Sequence, residues 1–264
     1  MKLLLLVCSV AFVAASGNDN DTYHLSEQEQ PQPENIITNG YPAYEGKAPY
    51  IVGLMIGRDN SNVRSVCGGS IIAHTWVLTA RHCLTSADYA DIHYGSNRGW
   101  QGQFYHKVRK QHFILHHNEQ NDVAVIRTPN VDFTSLVNKV QLPKLSQRNE
   151  RFVNWWAVAC GWGGMANGKL ADWLQCIDIQ IISNEECART YGSLPNQVLC
   201  TRTTGGTATC GGDSGGPLVT HDNPILVGIT AFGVSGACDA GNPDGYMRVT
   251  HYLDWIREKT GVFY

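Results

Sequence analysis

Short apolar runs fill the chain after residue 36 and set the terms of its fold. YIVGLMI (50–56), SIIAHTWVLT (70–79), DVAVIR (122–127), WWAVACGWG (155–163), CIDIQIIS (176–183), PLVT (217–220) and ILVGITAFG (225–233) are rich in β-branched or aromatic residues. Clusters of Gly, Asn, Asp and Pro separate them, so each run is followed by a place to reverse direction. Such side chains suit a pleated, half-buried surface. The pattern predicts an all-β sandwich or barrel. One helix is expected at the end, in YLDWIREKTG, where Tyr252, Leu253, Trp255 and Ile256 fall at helical spacing before Gly261. With 264 residues, 43% of them apolar, the chain can bury a sizeable core.

The first 36 residues have a different texture. Met1–Lys2 precede LLLLVCSVAFVAA, and small residues at Ala14 and Ser16 fit a cleavage site, so residues 1–16 read as a secretory signal peptide. Residues 17–36 are polar and proline-containing and read as a removable pro-segment, with a glycosylation sequon at Asn20-Asp21-Thr22. The nine cysteines are an odd set until Cys8 leaves with the signal. Eight then remain for an oxidising, extracellular compartment. Residues 1–36 also hold five acids and one base, so the net charge moves from −3 to about +1 on their removal. That balance does not suit a nucleic-acid binder. No apolar run beyond the N-terminus has the roughly 18–20 residues of a membrane span.

The segment richest in chemistry is Cys210-Gly211-Gly212-Asp213-Ser214-Gly215-Gly216-Pro217. Glycines on both sides of a serine let backbone approach a substrate and expose its amides. A serine hydroxyl is a weak nucleophile and needs a base with something to orient it. His82, in Thr79-Ala80-Arg81-His82-Cys83, is a candidate base. Asp122, an acid leading an apolar strand, is a candidate orienter, because burying it without a partner would be costly. An α/β-hydrolase shares the G-x-S-x-G pattern but runs Ser, acid, His along the chain. Here both partners precede Ser214.

The order His82, Asp122, Ser214 and the local sequences together resemble the chymotrypsin–trypsin family of serine proteases. CGGSII (67–72), TARHC (79–83), DVAVI (122–126), CGWG (160–163), GDSGGP (212–217) and the closing helix match in order and spacing over residues 37–264. The wording of ITNGYPAYEGKAPYIVGL, ITAFG and YLDWI is most similar to arthropod digestive chymotrypsins and crab collagenase-like enzymes. The resemblance implies two six-stranded antiparallel Greek-key barrels with a C-terminal helix and the active site between them. It implies a secreted digestive endopeptidase made as a zymogen, which hydrolyses peptide bonds through an acyl-enzyme on Ser214, with His82 as base and Asp122 as orienter. Gly212 and Ser214 would supply the oxyanion hole, and Asp213 would pair with the new ammonium of Ile37. The partners implied are protein and peptide substrates and proteinaceous inhibitors, with a monomeric enzyme and no cofactor. The loop after His82 lacks the paired acids that bind calcium in some relatives, so no metal site is expected. A secreted binding protein on this fold, without catalysis, is the alternative.

Three disulfides follow from the same resemblance: Cys67–Cys83, Cys187–Cys200 and Cys210–Cys238. Metal binding by Cys67, His82 and Cys83 is the rival reading, disfavoured in an exported chain with an even cysteine count. Cys160 and Cys176 remain. Antiparallel pairing of the strands around CGWG and LQCIDI would set them opposite each other, as a fourth disulfide. His116 and His117 have no partner motif and read as surface or packing residues.

The chain departs from the family pattern in three places. Ile36, or Asn35, precedes the expected mature start where relatives carry Arg or Lys, so trypsin should not activate it. Ala208 stands where trypsins carry Asp, which indicates an apolar pocket floor. Gly233 leaves one wall open, and Asp244 stands on the opposite wall. A carboxylate there would attract a basic side chain or, if dry, hold its proton. Cleavage after Phe, Tyr, Leu or Met is expected, with some tolerance of Arg or Lys. Third, Ala231 replaces a serine that usually bonds the triad aspartate. Ala231-Phe232-Gly233 should still pair with substrate as an added strand.

Overall fold

A computed structural model describes residues 40–165, 169–203, 207–233, 238 and 240–264. The signal peptide, the pro-segment and Ile37 lie outside the described residues. The chain forms β1 (Tyr41–Pro42), β2 (Ile51–Gly57), β3 (Ser65–Ala73), β4 (Trp76–Thr79), α1 (Arg81–Leu84), β5 (Tyr89–Tyr94), β6 (Phe104–Arg109), β7 (Phe113–Leu115) and β8 (Ala124–Arg127). The second half forms β9 (Trp156–Gly161), β10 (Gln175–Ile182), α2 (Asn184–Tyr191), β11 (Val198–Arg202), β12 (Pro217–Thr220), β13 (Leu226–Phe232), β14 (Asp244–Arg248) and α3 (Leu253–Thr260). All seven apolar runs contain strands.

Two antiparallel sheets carry the fold. In the first the order is β6-β5-β2-β3-β4-β8-β7, and in the second β1-β10-β11-β14-β13-β12-β9 with β9 also paired to β10. The second therefore closes as a six-stranded barrel, with the two-residue β1 added outside. In each sheet three consecutive strands pair in order and a fourth returns beside the first, β5 next to β2 and β12 next to β9. That is the Greek-key order. The first sheet has seven segments rather than six because Lys110–His112 form a single 3-10 turn between β6 and β7. This one bent stretch pairs with β5 at one end and β8 at the other, so the chain itself links the two edges of the sheet.

Leu54, Ile71, Ile72, Leu78, Ile92 and Ile126 fill the first barrel, and Phe152, Ile177, Ile179, Leu199, Leu218 and Tyr246 the second. The barrels meet where a Cβ on Gly68 would lie 2.9 Å from the Cα of Gly216, a separation that no larger residue at 68 allows. The final helix begins one residue later than the sequence pattern suggests. Tyr252 closes a 3-10 turn, and α3 ends on the left-handed Gly261. The sequence pattern missed α2, although Ser183 caps it by accepting from the Glu186 amide at 3.1 Å.

Candidate active site

β4 pairs with β8 in the register Thr79↔Ala124. The residues just beyond that register, His82 in α1 and Asp122 ahead of β8, are therefore brought side by side. Asp122 Oδ1 accepts the His82 amide at 2.7 Å, and Asp122 Oδ2 lies 2.6 Å from His82 Nδ1. One carboxylate thus fixes both the backbone and the ring of His82, leaving Nε2 as the outward nitrogen. The Cys67–Cys83 disulfide ties α1 to β3 directly beneath the ring.

Ser214 sits in the turn between Cys210 and β12. Its carbonyl accepts from the Gly68 amide at 2.8 Å, and the Gly215 amide donates to Thr230 O at 2.8 Å. These bonds pin the turn to both barrels. Gly215 has φ +80°, and a Cβ there would run into Thr79 Oγ1 and Gly68 O, so the turn requires glycine. Neither the Gly212 nor the Ser214 amide donates to an acceptor among the described residues. His82 Nε2 is 3.8 Å from Cys83 Sγ, which is 3.7 Å from Ser214 O. No hydrogen bond joins Ser214 Oγ to His82, a looseness common in substrate-free sites.

Asp213 is 2% exposed. Its oxygens accept the Gly163 and Cys210 amides at 2.8 and 2.9 Å. Burial still dominates and raises the carboxyl to about 6. No cation pairs with it among the described residues. Ile37, its expected partner, is not among them.

Of the three residues expected to line the pocket, Gly233 approaches Asp244, and Ala208 precedes Thr209, which bonds Asp244. Ala208 and Asp244 are buried, and a Cβ on Gly233 would lie 3.3 Å from Asp244 Oδ1. Asp244 Oδ2 accepts the Thr209 amide at 2.6 Å and Thr209 Oγ1 at 2.9 Å. Burial outweighs these bonds and raises the carboxyl to about 7. Sequence reasoning missed Thr209, whose only signal is its place beside the pocket floor. It also missed Asn121, whose Oδ1 accepts the Tyr252 hydroxyl at 3.1 Å beside Asp122. Ala231 offers no side-chain donor to Asp122. His116 packs beneath this network, stacked on His117 with ring centroids 4.4 Å apart, and its burial lowers its pKa.

All four disulfides are present. Cys160 and Cys176 are direct cross-strand partners with Cα atoms 4.1 Å apart. Cys67 and Cys83 are bonded to each other, so their cluster with His82 offers no thiolates to a metal.

The family model described as Trypsin matches residues 37–256. The chain belongs to the trypsin family. Among its relatives is serine protease 1 of Drosophila melanogaster, 54% identical over 86% of this chain and 87% of that protein. A collagenase of Hypoderma lineatum is 38% identical over 88% of this chain and 90% of its own. Brachyurin of Leptuca pugilator is 37% identical over 74% of this chain and 88% of its own. The solved structure of HL collagenase superposes with a TM-score of 0.80 at 36% identity, over 86% of this chain and all of that one. This trypsin-family chain is accordingly a serine protease, a hydrolase acting on protein substrates.

Proposed function

We propose that the chain is a secreted digestive endopeptidase, made with a signal peptide (1–16) and a pro-segment (17–36), whose catalytic domain is 37–264. The observation that carries the reading is the doubly bonded His82–Asp122 pair facing a serine turn with two unengaged amides. Ser214 Oγ attacks the scissile carbonyl while His82 Nε2 takes its proton. The same proton passes to the leaving amine, and a water then repeats the cycle to release the acid. Asp122 holds the ring tautomer and stabilises the imidazolium. The Gly212 and Ser214 amides receive the oxyanion.

Processing ahead of Ile37 supplies an ammonium for buried Asp213, and that ion pair orders the oxyanion turn. The activating protease is not trypsin, because the residues directly before Ile37, Asn35 and Ile36, are neither Arg nor Lys. The enzyme acts as a monomer and is open to proteinaceous inhibitors. Ala208, Gly233 and Asp244 line a pocket for large apolar side chains that also admits Arg or Lys. The decisive experiment sequences the N-terminus of the secreted active form and labels it with a peptide phosphonate. Modification of Ser214 in protein starting at Ile37 is expected. Correctly processed protein that resists labelling refutes the enzyme reading.

A further inference from the structure

Strand β9 runs into glycine where it meets Asp213. A Cβ on Gly161 or Gly163 would collide with the Asp213 carboxylate, and the Gly163 amide donates to its Oδ1 at 2.8 Å. Gly164 extends this wall, donating to Gly211 O at 2.7 Å. The close approach requires glycine, yet glycine is the residue whose backbone costs most to hold in place. β9 pairs with β10 as far as Gly161↔Gln175, and Cys160↔Cys176 is the pair just before it. The fourth disulfide therefore closes the ladder where the glycine wall begins.

Cys176 also has a neighbour on its other side. Tyr41 of β1 stands opposite Cys176, and Pro42 opposite Gln175. β1 is an edge strand only two residues long, and the Ala43 amide after it donates to Leu174 O at 2.8 Å. From Tyr41 the chain runs back four residues to Ile37, a reach of at most about 14 Å. Cys176 thus stands between the strand that carries the new N-terminus and, through its sulfur, the wall of the carboxylate that receives it. Both cysteines are buried.

We infer that Cys160 and Cys176 are a positioning pair for the oxyanion turn, their disulfide holding β1 and the glycine wall in one register so that the Ile37 ammonium meets Asp213. The inference rests on the processing reading above, in which that ammonium pairs with Asp213. Without the bond, β1 keeps two residues of pairing and the wall keeps the backbone bonds of glycines. Fraying at either strand end would part the ion pair.

The test compares enzyme processed to Ile37 with two variants, Cys160→Ala/Cys176→Ala and, as a control, Cys187→Ala/Cys200→Ala. The control disulfide spans 13 residues against 16 and ties α2 to β11, so its loss loosens the chain by a similar amount elsewhere. Two readouts follow the ammonium. Pairing raises the amine above its ordinary value of about 8, and activity is lost as pH climbs through the raised value. Cyanate labels the amine only when it is free of the pair and of its proton, which the N-terminal peptide mass reports. In Cys160→Ala/Cys176→Ala the alkaline midpoint of kcat/KM should fall by about one pH unit, and labelling of Ile37 should quicken about tenfold, the equivalent of that unit. The control should move neither. Asp244 and Tyr246 are the titratable groups that feel the charge of Asp213, and both are the same in all three proteins. Equal shifts in the two variants, or none in Cys160→Ala/Cys176→Ala, overturn the inference. Should that variant not fold, amide exchange in the unaltered enzyme decides, because coupling is reciprocal. Carbamylating Ile37 should then speed exchange at Ala43 and Gly163 together about tenfold, and unchanged protection at Ala43 overturns the inference. Full turnover by enzyme carbamylated at Ile37 strikes instead at the ion-pair reading.

Discussion

With Asp244 as the proposed pocket carboxylate, substrate choice should depend on pH. Asp244 Oδ2 is occupied by both Thr209 donors, whereas Oδ1 is turned to Gly233, where a substrate side chain would enter. Burial raises this carboxyl from 3.8 to about 7. The raised value means that the proton is kept at acid pH and lost only as pH climbs through about 7. Below it the pocket is neutral and suits Phe or Leu; above it a charge greets Arg or Lys. From about pH 6 to about pH 8 the ionised fraction rises from roughly one tenth to nine tenths, so the ratio of kcat/KM for an Arg over a Phe substrate should rise about tenfold. The charge itself is worth about 1.5–3 kcal/mol to a hydrogen-bonding cation, a ceiling of about 10–150-fold. Both substrates use the same Ser214 and His82, so the pH dependence of the chemistry cancels in the ratio. The assay measures matched Arg and Phe peptide amides across that range, in the native enzyme and in Asp244→Asn. The variant should show a flat ratio. A flat ratio in the native enzyme, or a slope that survives Asp244→Asn, refutes the assignment of Asp244 to the pocket.

Three further outcomes test the rest of the site. Asp122→Asn should lower kcat by about 10⁴-fold with the fold intact, since the amide favours the wrong tautomer of His82; circular dichroism with stopped assays separates the two effects. Ala231→Ser should restore a donor to Asp122 and raise kcat/KM by about two- to tenfold, the worth of one net hydrogen bond; an unchanged value means that Asp122 does not use it. Alkylation without reduction should leave the intact mass unmodified, and replacing Cys160 and Cys176 together by Ala should cost about 3 kcal/mol in denaturant unfolding, as expected for a loop of this length.

Eight of the fourteen strands were legible because they coincide with apolar, β-branched runs, and the fourth disulfide because antiparallel pairing makes two cysteines opposite or not. Helix α2 escaped because its eight residues bury only Cys187, leaving no apolar stripe to detect. A capping signal was nevertheless present in Ser183-Asn184-Glu185-Glu186. Strands β6 and β7 escaped too, since Phe104–Leu115 mixes His, Lys, Arg and Gln among its apolar residues and forms no apolar run. Trp155, Trp156 and Trp173 are between 39% and 54% exposed, so an aromatic side chain alone did not locate the core.

Contacts made within the site follow a different rule. Residues joined by local sequence, such as Ser214 with its glycines, could be read because backbone conformation is a short-range property. The partnership of Asp244 with Thr209 spans 35 residues, and that of Tyr252 with Asn121 spans 131. No periodicity encodes such distances; they exist only because two barrels bring strand ends together. His82 and Asp122 are separated by 40 residues and were still paired in advance, through family resemblance rather than pattern. The proposed specificity and rate of this chain rest on such long-range contacts. Asp244 held by Thr209 should set its specificity, and Asp122 without a hydroxyl at Ala231 its rate.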